Sequence, residues 1–124
     1  MKMRIYKEFT IEVAHQLPRA PLGHKCGCLH GHSIRIEIHV AGALNPERGW
    51  VIGLRRYQRE AFAPIHDALD HRFLNDIEGL ENPTSENLSR WIWNRLPQTL
   101  AGLSQVVVHE TCTTGCIYEG DVKS

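Results

Sequence analysis

The sequence has no net charge: its 14 Lys and Arg side chains are matched by 14 Asp and Glu. Such a chain offers no overall field for a nucleic-acid backbone or an anionic membrane, so partners recruited by global charge are disfavoured. No apolar run approaches the ~18 residues a membrane span needs, and the first residues, MKMRIYK, lack the apolar core of a signal peptide. A cytoplasmic location is the expectation. Internal repeats, low-complexity tracts and linkers are also missing, so the 124 residues are read as one domain, 1–124. Cysteine is sparse, and the spacings Cys26-x-Cys28 and Cys112-x3-Cys116 match no four-cysteine zinc framework. In a reducing compartment these side chains stay thiols.

Histidine, by contrast, is plentiful, with 8 in the chain. The run Cys26-Gly27-Cys28-Leu29-His30-Gly31-His32 ends in a His-x-His pair. On a β-strand, residues i and i+2 share a face, so His30 and His32 can converge on one ion. His15 would supply a third imidazole and leave one coordination position open, the pattern of catalytic zinc sites. Cys26 lies close enough in sequence to reach that open position as a base, or to ligate the metal itself. Flanking Lys25 and a nearby cation both favour its thiolate, and Cys28 competes for the same role.

Alternation supports this placement. Ile5, Phe9, Ile11 and Val13 share one parity with His15, and Ile34, Ile36, Ile38 and Val40 share one with His30 and His32. All three histidines then fall on core-facing parities at strand ends. The spacing of Leu54, Tyr57, Ala61, Phe62, Ile65, Ala68 and Leu69 predicts an amphipathic helix, kinked or split at Pro64. A second helix follows Pro83, with Thr84 or Ser85 as N-cap, Glu86 in its first turn and Pro97 past its end. Gln105 to Cys112 reads as a strand and Cys116-Ile117-Tyr118 as a short last one. The order ββααββ indicates an antiparallel α+β domain whose open sheet edges call for oligomerisation.

Two further groups bear on chemistry. Asp70-His71 follows the first helix, either as a helix terminus with a surface imidazole or as a carboxylate-steered proton shuttle. Glu110 shares parity with Val106 and Val108, so its carboxylate needs a buried partner or a ligand with paired N–H donors. His24, His39, His66 and His109 are read as structural or solvated.

Taken together, Cys26-x3-His30-Gly31-His32, Leu69-Asp70-His71, Glu81-Asn82-Pro83-Thr84-Ser85-Glu86 and Glu110-Thr111-Cys112-Thr113-x-Gly115-Cys116-x-Tyr118 resemble the 6-pyruvoyltetrahydropterin synthase family. The three-residue gap between Cys26 and His30 resembles its carboxy-forming branch. The resemblance implies the tunnelling fold (T-fold): a four-stranded antiparallel sheet with two helices on one face. Three such sheets close into a barrel, and barrels pair into a homohexamer with active sites at subunit interfaces. It also implies Zn2+ on His15, His30 and His32, Cys26 as proton acceptor, and Asp70 with His71 as a proton relay. Glu110 would anchor a pterin, with Thr84, Ser85 and Glu86 nearby. The implied substrate is 7,8-dihydroneopterin triphosphate, cleaved to a 6-carboxytetrahydropterin, acetaldehyde and triphosphate on the route to queuosine. The competing expectations are a 6-pyruvoyl product and a non-catalytic zinc-binding oligomeric module. One departure is Gly53-Leu54 after Trp50-Val51-Ile52, where the family usually places Asp-Phe.

Overall fold

The computed structural model describes residues 2–21, 23, 27–97 and 99–121. Two long strands, β1 (Lys2–His15) and β2 (His30–Ala43), pair antiparallel along their whole length, from Lys2 opposite Ala43 to His15 opposite His30. β4 (Leu103–His109) adds to β2, and β5 (Gly115–Tyr118) adds to β4. A two-residue strand, β3 (Arg72–Phe73), lies parallel to β1 and makes the sheet order β3-β1-β2-β4-β5. The expected four antiparallel strands are all present. The fifth arises because the His71 N–H donates to the Glu12 carbonyl at 2.7 Å and draws Arg72 and Phe73 alongside β1.

One face of the sheet is apolar because apolar side chains recur at every second position over much of β1 and β2. Phe9, Ile11 and Val13 of β1, Ile34, Ile36, Ile38 and Val40 of β2, and Val106 and Val108 of β4 are buried in one cluster. Against them pack Tyr57, Ala61, Ile65 and Leu69 from the first helical run, and Leu88 and Ile92 from α3 (Ser85–Arg95).

The first helical run is split, as Pro64 requires. It comprises α1 (Leu54–Tyr57), a π-helical segment (Gln58–Phe62) and α2 (Ala63–Leu69), with the Ala63 N–H reaching the Gln58 carbonyl. Pro64 has no N–H to give and its ring crowds the carbonyl four residues back, so the turn before it widens. α3 is capped as the sequence indicates: the Thr84 side chain accepts from the Asn87 N–H at 3.1 Å.

β4 ends earlier than the sequence suggests. It stops at His109, and the Glu110 N–H bonds the Thr114 carbonyl at 3.1 Å in a turn. Glu110 is therefore outside the strand, and its half-burial comes from the turn rather than from strand parity. At the far end, Gly102 (φ 86°) is fixed by close approach: a Cβ there would lie 2.0 Å from the Ala41 carbonyl oxygen.

Tyr57 bolts the helical layer to the sheet. Its buried hydroxyl donates to the Ile38 carbonyl at 2.6 Å and accepts from the Lys7 N–H at 3.2 Å. Burial pushes the phenol up to about 12, so it remains a donor throughout the neutral range. Tyr57→Phe leaves both backbone groups short of a partner and should lower the unfolding free energy by about 1–3 kcal/mol. Denaturant melts showing an unchanged midpoint would contradict this role.

Candidate active site

The β1–β2 register places His15 opposite His30, and His32 opposite Val13 on the same core-directed face. At that end of the ladder the three rings meet. Their centroids lie 4.5, 4.8 and 4.6 Å apart, with interplanar angles of 73°, 80° and 79°, so each ring presents an edge to the others. One ligand nitrogen from each lies within 4.8 Å of the other two. His15 is only 1% exposed.

The hydrogen bonding around the rings suits a cation. His30 Nδ1 donates to the Cys28 carbonyl at 2.7 Å, which leaves Nε2 as a lone pair. That Nε2 faces His15 Nε2 at 2.9 Å. Two nitrogens bound to one tetrahedral zinc stand roughly 3.3 Å apart, so an ion fits after a shift of a few tenths of an ångström. His32 Nε2 and His15 Nδ1 are buried without a hydrogen-bond partner among the described residues. The Pro83 carbonyl lies near enough to His15 to favour its protonated form, but without regular hydrogen-bond geometry. Burial first, then the charges of His30 and His32, hold the His15 imidazole below its usual value; Glu110 and Pro83 pull against this without reversing it. His15 is thus neutral at neutral pH, as a metal ligand must be. The residues present fit a divalent metal with three imidazole ligands.

Asp70 and His71 are locked to the same end of β1. Asp70 ends α2 in an extended conformation, and its Oδ1 accepts from the Glu12 N–H at 2.9 Å. His71 Nδ1 donates to Asp70 Oδ2 at 2.9 Å, which leaves the ring's Nε2 outward. Among the described residues His71 is the one non-glycine with positive φ, 59°, an uncommon conformation held by its backbone bond to Glu12. The Glu12 N–H chiefly, with His71 adding to it, keeps the Asp70 carboxyl below the ordinary aspartate range. His71 and His32 line one open hollow of about 560 Å³, with Glu12, Gly31, Ser33 and Arg72.

The other expected site residues lie outside that hollow. Ser85 Oγ donates to Glu110 Oε2 at 2.8 Å, so these two form a pair on the β4 side of His15. Thr84 is engaged as the α3 cap, and Glu86 is exposed in the first turn. Cys26 and its neighbours His24 and Lys25 lie outside the described residues. Cys28 is exposed, and its carbonyl is what orients His30.

Sequence reasoning missed the brace behind the site. Asn75 Oδ1 accepts from the Gln16 N–H at 2.9 Å, and its amide donates to the Gln16 carbonyl at 2.7 Å. Gln16 Nε2 in turn donates to the Gly27 carbonyl at 2.7 Å. Asn75 thereby ties the end of β1, next to His15, to the loop that precedes His30. No periodicity or motif marks an asparagine for this task.

A second group, Glu8, Glu37 and His109, sits on the polar face of the sheet. Glu37 accepts from His39 at 2.9 Å and from His109 at 2.5 Å, while Glu8 pairs with Arg35 at 3.1 Å. These contacts offset Glu8 and Glu37, like charges directly opposite across the ladder.

The fold is thus that of an α+β protein with a three-imidazole cluster able to hold a metal at the mouth of its longest hairpin and a hydrogen-bonded Asp70–His71 pair at the same end of β1. The family profile described as 6-pyruvoyl tetrahydropterin synthase matches residues 4–121. The chain is 41% identical over 119 residues to the 6-carboxy-5,6,7,8-tetrahydropterin synthase of Synechocystis sp., covering 92% of this chain and 91% of that protein. It is 30% identical to the Bacillus subtilis protein of the same name, over 90% and 82% respectively. In fold it is similar to the 6-pyruvoyl tetrahydropterin synthase of Caenorhabditis elegans, with a TM-score of 0.87, 24% identity, and coverage of 98% of this chain and 97% of that one. The chain belongs to the 6-pyruvoyl tetrahydropterin synthase family, and its fold is the T-fold.

The Glu37 network predicts an acid-side effect. Burial pushes the Glu37 carboxyl up, but hydrogen bonds and charge from His109 and His39 outweigh it and leave it below its usual 4.5. A depressed carboxylate contributes stability that is present above its unfolded value and is lost as pH falls through the folded one. Glu37→Gln should therefore destabilise the protein at pH 7 and flatten its acid-side loss of stability. An acid limb in denaturant melts identical to that of the parent would contradict the network.

Proposed function

We propose that this chain is a zinc-dependent 6-carboxy-5,6,7,8-tetrahydropterin synthase. It converts 7,8-dihydroneopterin triphosphate and one water to 6-carboxytetrahydropterin, acetaldehyde and triphosphate, a carbon–carbon lyase step toward queuosine. The observation that carries this reading is the convergence of His15, His30 and His32 on one point. The 41% identity to a synthase of that name supports the choice of product.

His15, His30 and His32 hold Zn2+, which when bound supplies a Lewis acid for the side-chain hydroxyls of the pterin. Cys26, as thiolate, accepts a proton from the side chain on one side. His71 moves the second proton at its outward Nε2, while the Asp70 carboxylate on Nδ1 fixes the tautomer and offsets the imidazolium that forms. Glu110 binds the paired N–H donors of the pterin ring, its carboxylate steered by the Ser85 hydroxyl. Thr84 and Glu86 shape the rim of that subsite.

Glu110 pairs with Ser85 and lies near His15, but neither residue lines the hollow that His71 lines. A homo-oligomer, a trimer or a hexamer of two barrels, brings Asp70 and His71 of one subunit to the zinc of the next. The polar face of the sheet and its short edge strands support this closure. No described helix is long and apolar enough to cross a membrane.

Anaerobic incubation of the zinc-loaded protein with 7,8-dihydroneopterin triphosphate should yield acetaldehyde and 6-carboxytetrahydropterin by mass. A 6-pyruvoyl product would move the chain to the sister activity. Cys26→Ala should retain stoichiometric zinc and lose at least about a hundredfold in kcat, in line with the loss of a positioned general base. Loss of zinc in that variant would make Cys26 a ligand instead, full activity would remove Cys26 from the base role, and zinc binding with no turnover in the parent would leave a non-catalytic zinc module as the better reading.

A further inference from the structure

Away from the histidines, the loop after β2 and the first helical run line an open cavity of about 830 Å³. Its size lies within the roughly 300–1,000 Å³ of small-ligand sites. Arg48, Arg55, Arg56 and Arg59 line it together with Trp50, Asn45 and Gly53, and no Asp or Glu is among the lining residues. In a chain with no net charge this is a local excess of one sign.

Only one of the four cations is held by an ion pair among the described residues. Arg56 bonds Glu60 at 2.6 Å and the Thr99 carbonyl at 2.7 Å. Arg48, Arg55 and Arg59 have no ion pair or side-chain hydrogen bond among the described residues. Their placement works against the fold. Arg55 and Arg59 stand at i,i+4 on one helical run, a repulsive pair, and Arg55 and Arg56 occupy its first turn, where the helix dipole disfavours cations. Gly53 starts that run with no side-chain cap.

The aromatic wall is held in place. Asn45 Oδ1 accepts from the N–H groups of Glu47 and Arg48 at 3.0 Å, and the Asn45 N–H donates to the Trp50 carbonyl at 2.9 Å. The turn thus presents Trp50, 45% exposed, with the Arg48 guanidinium 5.8 Å from its ring centroid. A second copy of the same surface would bring arginine against arginine, so an isologous self-contact does not account for it. Guanidinium forks match phosphate oxygens in pairs, and an exposed indole face accepts a stacked base.

We propose that this cavity is a second ligand site, which takes a nucleoside polyphosphate with its phosphates on Arg48, Arg55 and Arg59 and its base on Trp50. It is separate from the metal centre: Trp50 and Leu54 lie beside Ile5, Tyr6 and Lys7 of β1, and from Lys7 to His15 the strand runs roughly 26 Å at ~3.3 Å per residue. The site therefore stands or falls independently of the lyase reading.

Isothermal titration of the zinc-loaded protein with ATP and, separately, with inorganic triphosphate tests the assignment. Both should bind saturably, about one per chain. Gly53→Asp adds a carboxylate to the wall and an N-cap to the helix; its new Cβ meets only the Trp50 ring at 3.6 Å, an ordinary contact. It should melt no lower than the parent yet bind both ligands about tenfold or more weakly, as should Arg55→Ala/Arg59→Ala. Trp50→Ala should weaken ATP binding and spare triphosphate, and His32→Ala should change neither. No saturable binding at millimolar ligand, binding undiminished in Gly53→Asp, or binding lost in His32→Ala would each overturn the site. Capture of a polyglutamate peptide in place of either polyphosphate would overturn it in favour of an acidic protein partner. Equal weakening of both ligands by Trp50→Ala would overturn the nucleoside assignment.

Discussion

The pairing register of β1 with β2 is the constraint on which the rest of the molecule depends. With His15 opposite His30 and Val13 opposite His32, the alternation that buries Ile11, Ile34 and Ile36 also sends three imidazoles to one point at the end of the hairpin. A slip of one residue would turn the ligands to the polar face and expose the core in the same step. Convergence of the three imidazoles and burial of the core thus follow from a single register.

The helical layer carries that constraint to Asp70 and His71. Pro64 widens the turn before α2, and α2 ends at Asp70 against Glu12, three residues from His15. Glu12 holds the pair at both of its backbone groups: its N–H engages the Asp70 carboxylate, and its carbonyl takes the His71 N–H. The left-handed conformation of His71 follows from satisfying both bonds at once. It turns the ring into the hollow that it shares with His32. Asn75 and Gln16 brace the other side, and tie the end of β1 to the loop that leads into His30.

Much of this was legible in the residues. Period-2 alternation placed the three histidines on core-facing parities, Pro64 marked the break in the first helix, and Thr84 was readable as an N-cap. What escaped depends on tertiary contacts that leave no period. β3 exists only because Glu12 accepts a hydrogen bond from His71. Glu110 reads as a strand residue because its parity continues that of Val106 and Val108, but the Thr111–Thr114 turn ends the strand before it. Asn75 looks like any loop asparagine until the end of β1 is seen beside it. Gly53, read as a departure from the family's usual Asp-Phe, starts a helix among arginines away from the histidines.

The central claim is a metal held by three imidazoles with its fourth position free for an oxygen of the substrate. X-ray absorption at the zinc edge of the loaded, substrate-free protein measures this directly. The account predicts three imidazole nitrogens near ~2.0–2.1 Å and one light-atom ligand from solvent. A sulfur shell near ~2.3 Å would contradict it, because a thiolate would then be closing the position that the chemistry needs open.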